Sequence, residues 1–166
     1  MKELRPVLIV EDSANDLELM LEALKDHSLA NPVEVARDGE QALQYLRREG
    51  PYSTRPPVDP VVVLLDLKMP KMDGLEVLKV AKADARLKGV PIVMVTSSRQ
   101  EQDLLQSYHL GVNAYVVKPI DFGDFILAVK QLGVFWALIN ERPPESGHVL
   151  SDDSDGDHAM ERTNQI

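Results

Sequence analysis

The chain contains no cysteine. That excludes disulfides, thiolate nucleophiles, cysteine-type zinc sites and iron–sulfur clusters together, and it agrees with a reducing compartment. Long apolar runs are also missing. After a charged start (residues 1–6) the first apolar stretch is only Val7–Val10, and nothing approaches the ~18 residues of a membrane span or the pattern of a signal peptide. The expectation is a cytoplasmic protein with no membrane partner. Basic charge is scarce: 18 Lys and Arg stand against 27 Asp and Glu, for a net charge of −9. Nucleic-acid binding would need a local basic patch, none is visible, and no nucleic-acid partner is expected. Neither G-x-x-x-x-G-K-[ST] nor G-x-G-x-x-G occurs, which argues against nucleotide binding. The histidines, His27, His109, His148 and His158, are scattered and read as solvated side chains rather than metal ligands.

What is present is a chain of 166 residues, 44% of them apolar, enough for one domain with a buried core and a tail. The acidity is uneven. Residues 141–166 carry Glu141, Glu145, Asp152, Asp153, Asp155, Asp157 and Glu161 against only Arg142 and Arg162, five of the nine net negative charges. With few large apolar residues, this stretch cannot bury enough surface to offset its ordering entropy and is expected to be a disordered acidic tail after a domain spanning 1–140. Its Asp153-Ser-Asp-Gly-Asp157 run lacks the spacing and flanking helices of an EF-hand loop.

Residues 4–140 alternate short β-branched runs with helical periodicity. Strands are expected at 7–10, 33–36, 61–65, 92–95 and 114–117, and helices at 13–24 with Ser13 as N-cap, 41–48, 75–85, 101–109 and about 122–139. Runs this apolar predict a parallel sheet covered on both faces, a doubly wound α/β sandwich. Its ligand site lies outside the carboxyl ends of the strands. The proline-rich stretch 50–60 reads as a semi-rigid excursion before the third strand.

The strand ends carry the chemistry. Glu11 and Asp12 follow the first strand, Asp66 ends the third, Thr96 the fourth, and Lys118-Pro119 follows the fifth. Each acid alone could merely cap the next helix. Together they would set three carboxylates, a hydroxyl and an ammonium at one sheet edge. Three uncompensated anions repel one another and call for a cation, and an all-oxygen ligand set suits a hard one such as Mg²⁺.

In these features the sequence resembles the receiver domains of bacterial two-component response regulators. The matching stretches are Val7-Leu-Ile-Val-Glu-Asp-Ser13, Leu64-Leu-Asp-Leu-Lys-Met-Pro-Lys-Met-Asp-Gly74, Pro91-Ile-Val-Met-Val-Thr-Ser97 and Gly111-Val-Asn-Ala-Tyr-Val-Val-Lys-Pro119. The proline-rich insert, the Asp-Leu-Lys-Met-Pro signature and the absence of an output domain look most like stand-alone regulators paired with bacterial phytochromes. The resemblance implies a five-stranded flavodoxin-like sheet of order 2-1-3-4-5. It makes Asp66 the phosphoacceptor, Asp12 a direct Mg²⁺ ligand, Glu11 a ligand through water, and the main-chain carbonyl of Lys68 a further ligand. Lys118 would pair with the phosphoryl group and Thr96 hydrogen-bond to it. Tyr115 would be the aromatic switch, and Lys118-Pro119 a cis peptide. The implied partner is a sensor histidine kinase such as a phytochrome, and the protein would be no enzyme beyond its own phosphorylation and dephosphorylation.

Other readings fare worse. A haloacid-dehalogenase-type phosphatase needs a second carboxylate two residues after its nucleophile, where this chain has Lys68. A flavodoxin-like binder would have its cofactor phosphate repelled by Glu11 and Asp12. The alternative left is a receiver-fold adaptor that works by binding alone, against which the intact acid, Thr and Lys set argues. On the final helix, Phe125, Val129, Leu132, Trp136 and Ile139 form one stripe, expected to face the sheet. Leu127, Gln131, Val134 and Leu138 form a second, expected as the seam of a homodimer.

Overall fold

A computed structural model describes residues 4–25, 29–97, 100 and 114–138. The strands are β1 (Val7–Val10), β2 (Val33–Ala36), β3 (Val62–Asp66), β4 (Ile92–Thr96) and β5 (Tyr115–Val117). They form one parallel sheet in the order β2-β1-β3-β4-β5, the expected doubly wound arrangement. The helices are α1 (Ala14–Lys25), α2 (Gly39–Arg47), α3 (Gly74–Ala83) and α4 (Phe122–Gln131). The helix expected at 101–109 and the tail at 141–166 lie outside the described residues. No helix among the described residues is long and apolar enough to cross a membrane.

Every residue of β1, β3 and β4 is buried, because helices cover both sheet faces. Side chains alternate between two cores. Leu8, Val10, Val63 and Leu65 pack under α2 and α3, whereas Val7, Ile9, Val62 and Leu64 pack under α1 and α4 around Phe125. Side-chain caps fix the helix starts. Ser13 Oγ accepts from Asp16 N at 3.3 Å, Asp38 Oδ1 from Gln41 N at 2.7 Å, Asp73 Oδ1 from Glu76 N at 2.9 Å and Asp121 Oδ1 from Asp124 N at 2.7 Å. Asp38 starts α2 two residues before the sequence pattern suggests.

The excursion at 50–60 is built around Arg55. Its guanidinium donates to the Tyr45 carbonyl through Nε (3.0 Å) and Nη2 (2.8 Å), and through Nη1 to the carbonyl of Val58 (2.7 Å), while lying 4.2 Å above the Tyr45 ring. Tyr52 packs edge-on against Tyr45 at 5.3 Å. Proline stiffness is only part of what holds this loop.

The last helix departs from expectation. It ends at Gln131, and Gly133 follows with φ 71°, its N–H donating to the Lys130 carbonyl at 3.0 Å and that of Val134 to the Val129 carbonyl at 3.3 Å. This is a glycine-terminated C-cap. Beyond it, Phe135–Ala137 form a 3₁₀ turn. The break resets the helical phase, so neither expected stripe survives intact. Phe125 and Val129 are buried and Leu132 packs partly against the core, but Trp136 is 73% exposed. Val134 and Leu138, assigned to a dimer seam, pack against the core instead, which leaves Leu127 (61% exposed) and Gln131 as the outward residues of that row. The continuous seam is thereby corrected, and Ile139 lies outside the described residues. Asn31, buried just before β2, ties this turn down by donating to the carbonyls of Arg5 (2.9 Å) and Ala137 (3.1 Å).

Candidate functional site

Parallel order brings the carboxyl ends of β1, β3, β4 and β5 to one edge. Glu11 leaves β1 with its N–H on the Ala36 carbonyl (3.0 Å), its side chain buried and its Oε1 accepting from Ser13 N at 3.1 Å. Arg37, at the end of β2, braces the same turn: Nε donates to the Glu11 carbonyl (3.1 Å) and Nη2 to that of Asp12 (2.9 Å). These bonds fix the backbone that carries the Glu11 and Asp12 carboxyl groups. One carboxylate oxygen from each of Glu11, Asp12 and Asp66 lies within 4.8 Å of the other two, a spacing at which three acids can share one cation.

Asp66 is buried at the end of β3. The chain behind it is tightly packed, since a Cβ at Gly74 would run into the Asp66 carbonyl oxygen, and the Gly74 N–H donates to the Leu67 carbonyl at 2.9 Å. Only glycine lets α3 begin this close to the strand. Lys68 is exposed at the rim. Thr96 is fully buried, and its Oγ1 has no hydrogen-bond partner among the described residues. A buried hydroxyl without a partner is costly, so this one is poised to bond an incoming group.

Lys118 follows β5, with its N–H on the Thr96 carbonyl (2.8 Å) and a cis peptide to Pro119, as expected. Its Nζ lies 2.9 Å from Glu11 Oε2, 3.3 Å from Asp66 Oδ1 and 2.8 Å from Asp16 Oδ2. Burial works against this ammonium, but Asp16, Glu11 and Asp66 together hold its proton more tightly than in an ordinary lysine. Burial first, and then the Glu11 carboxylate, push the Asp66 carboxyl up to about 7, with Lys118 opposing. A metal-free pocket is thus under like-charge strain that a divalent cation would relieve.

All five strand-end residues expected at the site, Glu11, Asp12, Asp66, Thr96 and Lys118, converge there. Tyr115 does not join them; on β5 it is 39% exposed and lies beside Leu127 and Gln131. Asp16 and Arg37 were not foreseen. Asp16 sits in the first turn of α1, where acids are common as dipole partners, and Arg37 contributes through backbone carbonyls that no side-chain pattern reports.

An open parallel sheet with a carboxylate trio, a buried hydroxyl and an ammonium at its strand ends defines an α/β domain suited to holding a divalent cation beside a carboxylate nucleophile. The response regulator receiver domain model matches residues 7–130, and the chain belongs to that family. It is similar to the bacteriophytochrome response regulator AtBRR (61% identity, TM-score 0.80, covering 84% of this chain and 100% of that one). It is similar also to the bacteriophytochrome response regulator RtBRR (54%, TM-score 0.77, 85% of each chain). Response regulator Rcp1 of Synechocystis sp. is 38% identical over 130 residues, 78% of this chain and 87% of that protein. A crystal structure of Rcp1 in its Mn²⁺-bound form matches with TM-score 0.63 over 80% of this chain and 94% of that one. The protein is therefore a receiver-domain response regulator, and accepting a phosphoryl group on an aspartate is the general function of such domains.

Proposed function

We propose that Asp66 is the phosphoacceptor, taking phosphoryl from a phosphohistidine of a sensor histidine kinase, with a bacterial phytochrome as the candidate kinase. The observation that carries this reading is the convergence of Glu11, Asp12 and Asp66 within 4.8 Å, with Lys118 across from them. The names of the relatives support the phytochrome assignment.

The donor set fits a hard divalent cation, and Mg²⁺ is the proposed one. Asp12 and Asp66 would be direct ligands, Glu11 would act through water, and the Lys68 main-chain carbonyl would be a further ligand. When bound, the ion offsets the charge of the phosphoryl oxygens and favours the ionised form of Asp66. An ionised Asp66 oxygen attacks phosphorus in line. The P–N bond breaks as the P–O bond forms, the imidazole nitrogen keeps the electron pair, and an acyl phosphate results. A carboxylate that is already ionised needs no general base. Lys118 takes one phosphoryl oxygen and the Thr96 hydroxyl donates to another. Movement of Thr96 would open room for the Tyr115 ring to turn inward, changing the surface presented to a target. The chemistry is confined to the protein's own phosphorylation and dephosphorylation, in the cytoplasm.

The receiver unit in this reading spans 1–140, and 141–166 supplies no site residue. Self-association is part of the proposal, now through exposed Leu127, Phe135 and Trp136 rather than a continuous helical seam. The test is phosphoryl transfer from purified histidine kinases fed with labelled ATP and Mg²⁺. Wild type should be labelled and Asp66→Asn should not. Undiminished labelling of that variant would reassign the acceptor, and binding of a kinase with no labelling at all would favour an adaptor.

A further inference from the structure

Lys118 has three N–H donors, and three carboxylates stand around it. Two of them belong to the acid trio. The third, Asp16, has no part in metal holding or phosphoryl transfer, yet it makes the shortest contact (2.8 Å) and a hydrogen bond of good geometry. The acceptor Asp66 makes the longest contact, 3.3 Å.

We propose that Asp16 is a positioning residue that latches Lys118 to α1 in the unphosphorylated protein, so that exchange of Asp16 for a phosphoryl oxygen sets the phosphoryl affinity of the site. This rests on the phosphoacceptor reading of Asp66. An ammonium already saturated by anions gains less from a new one than an unengaged ammonium would, because each new contact replaces an old one. Of the partners outside the acceptor, only Asp16 can give way cheaply. Its side chain is 38% exposed and would be rehydrated on release, whereas Glu11 is 0% exposed and would stay buried without a counter-charge. Its place in the first turn of α1 further favours a carboxylate that has lost its lysine.

The test measures binding of beryllofluoride, a phosphoryl mimic, to the whole chain with Mg²⁺ by calorimetry. Asp16→Asn is the main variant, Asp16→Ser a second that removes the carboxylate with a smaller side chain, and Glu18→Gln removes the same charge from an exposed position of α1. Both Asp16 variants should bind about five-fold tighter than wild type, the range expected of a partly exposed ion pair. The gain should persist in about 0.5 M salt, where through-space effects are screened beyond a few ångströms. Equal or weaker binding by the Asp16 variants, an equal gain in Glu18→Gln, or a gain abolished by salt overturns the latch. If wild type fails to bind, or Asp66→Asn binds as well as wild type, the acceptor reading itself falls and takes the latch with it.

Discussion

Replacing Asp66 by Asn should make the metal-free protein more stable, even as it removes the proposed acceptor. Burial first, and then the Glu11 carboxylate, push the Asp66 carboxyl from its ordinary 3.8 up to about 7. At ~1.4 kcal/mol per tenfold change in proton affinity, ionising it costs the fold up to about 4 kcal/mol. Asparagine keeps the shape without the charge. Relaxation of the pocket and water entry reduce the gain, so about 1–3 kcal/mol is expected at pH 8, or roughly 3–10 °C in Tm for a domain of this size.

The pH dependence gives the sign. Between about 4 and 7 the folded protein holds a proton on Asp66 that the unfolded chain has released, so wild-type stability falls as pH rises through this window and levels off above it. The difference between variant and wild type should therefore be small near pH 4.5, grow towards pH 7 and be constant above. Saturating Mg²⁺ should narrow it at pH 8, because the wild-type pocket binds the ion with one more carboxylate. Denaturation of both proteins from pH 4.5 to 8.5, with and without Mg²⁺, checks each arm. A variant no more stable than wild type at pH 8, or a difference independent of pH, would refute the account of the pocket as strained by its own charge.

Phe125→Ala should cost about 3–5 kcal/mol by urea denaturation, since the ring is fully buried between α4 and the sheet. Gly74→Ala should slow phosphoryl transfer from a histidine kinase at least tenfold as well as lower Tm, because its Cβ meets the Asp66 carbonyl. Removing residues from Pro143 onward should leave the transfer rate within about a few-fold of wild type, no site residue being lost. Sedimentation at micromolar concentration should give a dimer for wild type and a monomer for Leu127→Glu with Trp136→Glu, and a wild-type monomer at every concentration would end the self-association reading.

The sheet was legible because β1, β3 and β4 are buried on both faces and so read as unbroken apolar runs, which no half-exposed strand would show. The end of α4 departs from the sequence pattern for a physical reason. An apolar pattern at helical spacing continues past Gln131 through Leu132, Val134 and Leu138, and the sequence signal against it is a single glycine. Gly133 at positive φ outweighs that pattern, since the left-handed cap satisfies carbonyls that a longer helix would leave for its next turn. Val134, Ala137 and Leu138 then pack partly against the core in a new phase, with the Ala137 carbonyl held by Asn31, a tertiary contact spanning 106 residues that local periodicity does not encode.

The site divides along the same line. Glu11, Asp12, Asp66, Thr96 and Lys118 were readable because each sits at or just after the end of a strand, and parallel order alone sends strand ends to one edge. What strand ends cannot report is how the cation among them is shared. Lys118 could face Asp66 alone, and strand order would be the same. The placement of α1 decides otherwise, since Ser13 caps it so that Asp16 falls within 2.8 Å of Nζ. The charges follow from that geometry. Three carboxylates around one ammonium leave a net negative pocket, and of the two buried acids Lys118 holds Asp66 less closely, at 3.3 Å against 2.9 Å for Glu11. Burial and the Glu11 carboxylate push that residue toward its protonated form, and a cation beside it would oppose the push. The same imbalance that weakens the pocket thus makes the ionisation of the proposed acceptor dependent on what binds there.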